Sequence, residues 1–241
     1  MGIIASKRSL LIAALIAAAA AGAFLAPRTL TWSVPLVPYD TVAQLVDEEK
    51  YPEAVLYCKK RLLSDPKDAD TALLLGNIYE IQGKNARALK LYERVARQYP
   101  EEGIALYHRA RGLYLTGRAD KALGEVRSAE ALFEKDPDER VRAEGLKGLY
   151  DFEAEVLEGQ ESYKAASAAL EKRLSLDPSD ERTRYRLGVA YAYAGQWQHA
   201  YKQFNQIVTD HPGTEMARFA ENAIQYVRQR KNPDRSDLPI L

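Results

Sequence analysis

The stretch LLLGNIYEIQGKNARALKLYERVARQYP (residues 73–100) returns, with changes, as YRLGVAYAYAGQWQHAYKQFNQIVTDHP (residues 185–212). Both stretches carry Leu-Gly, then a tyrosine three residues after the glycine, then a second glycine four residues further on, and both end in proline. The matched positions are Leu75/Leu187, Gly76/Gly188, Tyr79/Tyr191, Gly83/Gly195, Ala88/Ala200, Tyr92/Phe204 and Pro100/Pro212. Such matches at a fixed interval indicate a stacked repeat protein.

The interval extends over most of the chain. Pro66 and Pro100 are 34 residues apart, as are Pro178 and Pro212, and the 78 residues from Pro100 to Pro178 equal two intervals plus ten. This spacing predicts five repeat windows, with an insertion at residues 137–146 between the third and the fourth. The windows are residues 35–68, 69–102, 103–136, 147–180 and 181–214.

The 34-residue unit resembles the tetratricopeptide repeat family, whose unit is a helix-turn-helix with small residues where the two helices touch. The resemblance implies an all-α, right-handed α-solenoid of about five helix pairs. In the fifth window, Gly188 and Ala200 let two helix backbones approach while Phe204 fills the space between repeats. Gly195 is expected in the turn between the helices, where a positive φ is required.

The predicted solenoid covers residues 41–230. The insertion PDERVRAEGL continues into the apolar pattern of the fourth window, so the first helix of that window is expected to begin near Asp138 and to run over five turns. Thr214 is expected to cap a helix over residues 215–230 that covers the last repeat. Residues 231–241 are polar and broken by proline, which predicts a mobile tail.

Residues 1–27 form a separate hydrophobic element. Lys7 and Arg8 precede an uncharged run from Leu10 to Ala26. As a helix, residues 9–27 would span about 28 Å, close to the thickness of a bilayer core, which predicts a retained signal anchor. The compact apolar core and the small residues up to Ala23 also suit a cleaved signal peptide.

These alternatives give two locations. A retained anchor makes the chain a single-pass protein of the inner (cytoplasmic) membrane, with its amino terminus in the cytoplasm and its repeats in the periplasm. Cleavage near Ala23 gives a soluble periplasmic or secreted protein. In both cases residues 28–40, which contain two prolines, are expected to be an extended tether.

Composition excludes several classes of function. The chain has 34 basic and 34 acidic residues and a formal net charge of zero, and its basic residues form no long block, so we expect no nucleic-acid partner. The single Cys58 and the scattered His108, His199 and His211 do not form a metal-binding motif. Because no nucleophile or phosphate-binding motif is present either, we predict no enzymatic activity, metal or cofactor.

The family resemblance implies that the first helix of each unit lines a concave groove, with unit positions 2, 5, 6, 9, 12 and 13 directed at a ligand. Aromatic and arginine side chains at such positions are the types that carry binding energy at protein interfaces. The alternative is that each of them packs against the neighbouring first helix. The candidate partner-binding residues are Asn77, Tyr107, Arg111, Tyr114, Phe152, Arg182, Tyr185, Arg186 and Tyr193.

We therefore predict a non-catalytic scaffold on the periplasmic face of the membrane that binds a partner protein or peptide in its groove, for assembly of an envelope complex. The alternative is a permanent structural subunit of a large membrane-associated complex, with the groove filled by a neighbour. A clamp for chaperone tails is disfavoured, because Leu73 and His108 stand where that clamp has Lys and Asn.

Overall fold

A computed structural model of the chain describes residues 39–231, and within this range all regular secondary structure is helical. Each helix is followed by a short turn that leads into the next one. The helices of the first part are α1 (Tyr39–Asp47), α2 (Tyr51–Ser64), α3 (Ala69–Ile81), α4 (Asn85–Gln98), α5 (Gly103–Leu115) and α6 (Ala119–Phe133). They are followed by α7 (Glu139–Gly159), α8 (Tyr163–Leu176), α9 (Glu181–Tyr193), α10 (Trp197–Asp210) and α11 (Glu215–Arg228).

Contacts group these helices into two compact units. Unit 1 extends to Gly145 and contains α1 to α6 and the first turns of α7, whereas unit 2 begins at Leu146. Inside unit 1 each helix from α1 to α6 packs against the next, and inside unit 2 the same holds from α8 to α11.

Helix α7 is long, as its sequence predicts. It has 21 residues, and its start is fixed by Asp138, whose Oδ1 accepts hydrogen bonds from the backbone N–H groups of Arg140 and Val141. An acidic side chain at this position satisfies helix N–H groups that have no partner within the helix. The expected early start near Asp138 is confirmed.

Glycines in the left-handed region close the turns inside the helix pairs. Gly83, Gly117 and Gly195 have φ values of 69°, 79° and 72°, so the positive φ expected at Gly195 is confirmed. In each turn the N–H of the residue after the glycine donates to a carbonyl five residues back in the first helix, at 2.8–2.9 Å. This hydrogen bond ends the first helix and sends the chain back along it.

Two helix pairs are held together by close contact between a glycine of the first helix and an aromatic ring of the second, a contact that we call a glycine seam. A Cβ atom built on Gly188 of α9 would lie 2.6 Å from Cε1 of Phe204 on α10, and one built on Gly76 of α3 would overlap the ring of Tyr92 on α4. Tyr92 and Phe204 are completely buried. Only glycine leaves room for these rings against the backbone of the first helix, so the predicted role of Gly188 is confirmed.

At two junctions an aspartate links a helix pair to the helix before it. Asp68 Oδ1 accepts from the backbone N–H of Thr71 at the start of α3, and its Oδ2 accepts from Arg61 Nε of α2 at 2.9 Å. In unit 2, Asp180 caps α9 at Thr183 and accepts from Arg173 of α8 in the same way. Each aspartate thus caps one helix and binds the preceding helix.

The predicted location in a membrane is corrected. In the described range 39–231, no helix is long and apolar enough to cross a bilayer. The predicted anchor at residues 9–27, the cleavage near Ala23 and most of the tether at residues 28–40 lie outside the described residues, as does the tail from residue 232 onward. Tyr39 and Asp40, which the tether prediction included, belong to α1. We therefore do not retain the single-pass inner-membrane topology or the periplasmic placement of the repeats.

The glycine seam predicts opposite effects for two substitutions in unit 1. Gly76→Ala is expected to lower the free energy of unfolding by about 1–3 kcal/mol, because the new methyl group overlaps the Tyr92 ring. Gly124→Ala in α6, where an added Cβ meets no atom within 4 Å, is expected to raise it by about 0.5–1 kcal/mol through helix propensity. Urea unfolding followed by circular dichroism measures both effects. If Gly76→Ala leaves the free energy of unfolding unchanged, glycine is not required against the Tyr92 ring.

Candidate functional site

A polar network lies between α3, α4 and α5 of unit 1. The hydroxyl of Tyr92 donates to Asn77 Oδ1 at 2.7 Å, and Arg111 Nη2 donates to Glu80 Oε2 at 2.7 Å. The Glu80 side chain is only 4% exposed and that of Arg111 is 19% exposed. A carboxylate and a guanidinium at this depth require each other, because either charge alone is costly away from water.

The network reaches the surface on α5. Arg111 Nη1 lies 3.3 Å from the hydroxyl of Tyr107, and the guanidinium carbon lies 5.8 Å from the centre of the Tyr107 ring. Tyr107, Arg111 and Tyr114 follow one another at helical spacing on one face of α5, and all three are half-buried. On this face Arg111 and Tyr107 are held in place by the contacts of the network.

His108 is the unusual member of this cluster. It is 3% exposed, and its ring lies 5.2 Å from that of Tyr92 and 5.3 Å from that of Tyr107. Neither ring nitrogen has a hydrogen-bond partner within the described residues. Burial, with a smaller contribution from Arg111, lowers the pKa of His108 to about 3, so the ring is neutral near pH 7.

The equivalent positions of unit 2 are apolar. Helices α9, α10 and α11 begin 112 residues after α3, α4 and α5, so the two sets can be compared residue by residue. A repeat can therefore stack without this network. The pairs of equivalent residues are Asn77/Val189, Glu80/Ala192, Tyr92/Phe204, His108/Ala220 and Arg111/Ala223.

Unit 2 carries its ionic groups between α7, α8 and α9. Arg186 Nη1 donates to Asp151 Oδ1 at 3.1 Å, and its Nη2 donates to Glu158 Oε2 at 3.2 Å. Arg173 Nε donates to the other oxygen of Asp151 at 2.9 Å. Burial raises the pKa of Glu158, and Arg186 opposes that shift. The carboxylates of α7 are thus bound to arginines of α8 and α9.

Two further candidates lie at the two ends of α9. Arg182 is half-buried in the first turn, and burial together with the nearby Arg186 lowers its pKa. Tyr193 is in the last turn, where its ring stacks on that of Tyr163 with centres 4.7 Å apart and planes 21° apart. The two tyrosines form one side of a shallow cleft that Ala165 and Ala194 also line.

The predicted site residues fall into two clusters and a buried remainder. Asn77, Tyr107, Arg111 and Tyr114 come together in unit 1, and Arg182, Arg186 and Tyr193 lie on α9 in unit 2. The inclusion of Phe152 and Tyr185 is corrected, because these side chains are only 5% and 2% exposed. They are part of the core and do not form a binding surface, because neighbouring helices cover their side of the first helix.

The candidate set lacks the acidic partners of its arginines. Glu80 and Glu158 each occupy position 12 of their window, and each pairs with an arginine in the first helix of the following window, Arg111 or Arg186. The pattern of an acid at position 12 before an arginine one window later was available in the sequence. It would have identified the carboxylates that hold these arginines.

We expect substitutions of Glu80 and Arg111 to have non-additive effects on the free energy of unfolding. Glu80→Ala alone is expected to lower the free energy of unfolding by about 3 kcal/mol, because it leaves a largely buried guanidinium without its carboxylate. The double variant Glu80→Ala/Arg111→Ala is expected to lose less than the single one, since unit 2 has alanine at both equivalent positions. The measurement is urea unfolding of both variants and of Glu125→Ala.

Glu125 serves as the control because it pairs with Arg109 while both side chains are more exposed, at 22% and 27%. Its loss is expected to cost less than about 1 kcal/mol. Additive effects of Glu80→Ala and Arg111→Ala would show that the two side chains do not depend on each other.

His108 predicts a pH dependence of stability. Between pH 6.5, the ordinary pKa of histidine, and about pH 3, the unfolded chain binds a proton that the folded chain does not. The contribution of His108 to the free energy of unfolding therefore falls as the pH is lowered through this window, by up to about 1.4 kcal/mol per pH unit. His108→Leu is expected to remove this contribution.

The check is the difference in unfolding free energy between the wild type and His108→Leu, measured at several pH values from 7 to 4. The variant should become relatively more stable as the pH falls, because leucine has no proton to exclude. A constant difference across the range would mean that His108 binds a proton equally well in the folded and unfolded chain.

Two models described as tetratricopeptide repeat match the chain, one over residues 73–138 and the other over residues 182–214. The first match spans α3 to α6 and the second spans α9 and α10. No curated protein sequence matches the chain.

Several solved structures have similar folds. YrrB, described as a tetratricopeptide repeat protein with an unusual peptide-binding site, aligns with a TM-score of 0.53 and 20% identity over 76% of this chain and 89% of its own. MamA from Desulfovibrio magneticus RS-1, from residue 41 to its end, aligns with a TM-score of 0.59 and 17% identity over 73% of this chain and 94% of its own. A tetratricopeptide repeat protein from Parabacteroides merdae ATCC 43184 aligns with a TM-score of 0.59 and 18% identity over 79% of this chain and 72% of its own.

At these identities the structural likeness shows the fold alone. The matching family models and the helical-repeat fold of the similar structures agree with each other and with the 34-residue period. The chain therefore contains tetratricopeptide repeats, at residues 73–138 and 182–214.

Proposed function

We propose that the chain is a non-catalytic scaffold that binds a peptide segment of a partner protein on the first-helix faces of its repeats. Tetratricopeptide repeat proteins typically bind protein or peptide partners, and one of the similar structures is described by its peptide-binding site. The proposal assigns no catalytic residue, metal or cofactor to the chain.

The observation that carries this proposal is the polar network of unit 1. A buried ion pair is weak evidence for stability, because apolar residues of similar volume often stabilise a core as well or better. Unit 2 has apolar residues at the equivalent positions, including Ala192 and Ala223 in place of Glu80 and Arg111. The network is therefore better explained by what it holds at the surface than by the stacking of helices.

At the surface of α5, the network of unit 1 lies beside a row of side chains suited to binding. Arg111 is fixed on one side by Glu80 and on the other by Tyr107, so its remaining exposed edge is presented in one orientation. Tyr107 and Tyr114 flank it along α5. Preorganised aromatic and arginine side chains lose little conformational entropy on binding, and they are the usual hot spots of protein interfaces.

A selection from random peptides tests the proposal directly. Twelve-residue peptides displayed on phage are selected on the full chain, and the enriched peptides are then measured against Tyr107→Ala, Tyr193→Ala and Tyr201→Ala. Loss of a hot-spot tyrosine is expected to weaken binding about thirtyfold, which corresponds to about 2 kcal/mol. We expect this loss in at least one of the two first-helix variants.

Tyr201→Ala is the matched control. Tyr201 lies on the second helix α10, where 37% of its surface is exposed, so its removal deletes the same side chain from a different surface. Circular dichroism verifies that each variant is folded. The proposal fails if no peptide is enriched, or if binding depends on Tyr201 and on neither Tyr107 nor Tyr193.

A further inference from the structure

Arg182 has no hydrogen-bond or ion-pair partner among the described residues. It lies in the first turn of α9 and is half-buried. An arginine carries five N–H donors in a planar fork that matches a carboxylate. None of the Arg182 nitrogens is a buried atom without a partner within the described residues, so its donors remain accessible to an acceptor supplied from outside.

The neighbouring acidic groups are already bound to other arginines. Asp151 accepts from Arg173 and Arg186, and Asp180 accepts from Arg173 while it caps α9. Both carboxylates act on Arg182 electrostatically, but their oxygens are used elsewhere. Arg182 is thus the arginine of this cluster that has no carboxylate of its own.

The remaining acids nearby do not alter this balance. Glu158 is bound to Arg186, and Glu155 is exposed on α7, where solvent and salt screen its charge. Arg182 and Arg184 are thus the arginines of α9 without a carboxylate partner among the described residues, and Arg184 instead hydrogen-bonds Gln203 and the Pro178 carbonyl.

The other end of α9 offers an apolar contact. The cleft beside Tyr163 and Tyr193 has the alanine side chains of Ala165 and Ala194 on its walls, and it is also lined by Glu161, Ser162 and Lys164. Its two rings are stacked against each other and present a rigid edge. A large apolar side chain of a partner can pack against the two rings and the alanine side chains of this cleft.

The distance between these two features defines the ligand. Arg182 and Tyr193 are eleven residues apart, which places them on one face of α9 about 16 Å from each other. An extended peptide advances about 3.3 Å per residue, so about five residues separate the groups that would reach both features.

We infer that the α9 face of unit 2 binds an extended peptide in which an Asp or Glu lies about five residues from a large apolar residue. The carboxylate binds Arg182, and the apolar side chain enters the cleft beside Tyr163 and Tyr193. This inference rests on the proposed function and specifies the partner chemistry for one of the two units.

Fluorescence polarisation with designed peptides tests the inference. The probe is a fluorescein-labelled, twelve-residue peptide of Ser and Ala that carries one Glu and one Leu five positions apart. Two matched peptides replace the Glu by Lys or place the Glu and Leu side by side. The full chain at low salt is expected to bind the probe at least tenfold more tightly than either matched peptide.

Arg182→Gln is expected to weaken binding of the probe at least tenfold. Arg184→Gln is the control, because it removes the same charge from the same helix while its own guanidinium hydrogen-bonds Gln203 and the Pro178 carbonyl. It should leave the affinity within twofold. Circular dichroism of both variants confirms that they are folded.

The inference is overturned if the chain binds none of the designed peptides, if the Lys peptide binds as well as the probe, or if Arg182→Gln and Arg184→Gln behave alike. These outcomes leave the proposed function intact when the phage selection still enriches peptides that depend on Tyr107. A failure of that selection, by contrast, removes the proposed function itself.

Discussion

The close approach of two helix backbones around one buried ring is the constraint on which the helix pairs depend. In α3 and α9 a glycine faces Tyr92 or Phe204, and no other residue leaves space for the ring at that position. Because protein interiors are close-packed, the ring and the glycine together fix how the second helix lies on the first. The orientation of the opposite face of the first helix, where partners are proposed to bind, follows from this contact.

The same seam supports two different interiors. In unit 2 the ring is Phe204 and its surroundings are apolar, whereas in unit 1 the ring is Tyr92, whose hydroxyl requires an acceptor and finds Asn77. Around it the chain places a buried carboxylate, a guanidinium and a histidine whose two ring nitrogens have no partner in the part of the chain that the structure describes. Such groups cost free energy unless they are paired, which is why we connect them with binding rather than with stability.

Both units use one ionic arrangement to set the chemistry of their surface. An acid at position 12 of one window, Glu80 or Glu158, holds an arginine in the first helix of the next, Arg111 or Arg186. Each pair neutralises one arginine of a first helix. We propose that the specificity of each face depends on the tyrosines beside Arg111 in unit 1 and on Arg182, which has no partner among the described residues, in unit 2.

The sequence by itself determined the features that depend on neighbours along the chain. The period, the glycine turn at Gly195 and the early start of α7 follow from local backbone preferences and helical periodicity, which are readable in one dimension. Turns at Glu49 and Glu161, where φ is 57° without a glycine, carried no such signal. Only the tertiary structure decided that Phe152 and Tyr185 are buried and that Arg182 has no partner between residues 39 and 231. Periodicity assigns a residue to a face of its helix, but the packing of other helices decides whether that face is covered and which charges are already paired.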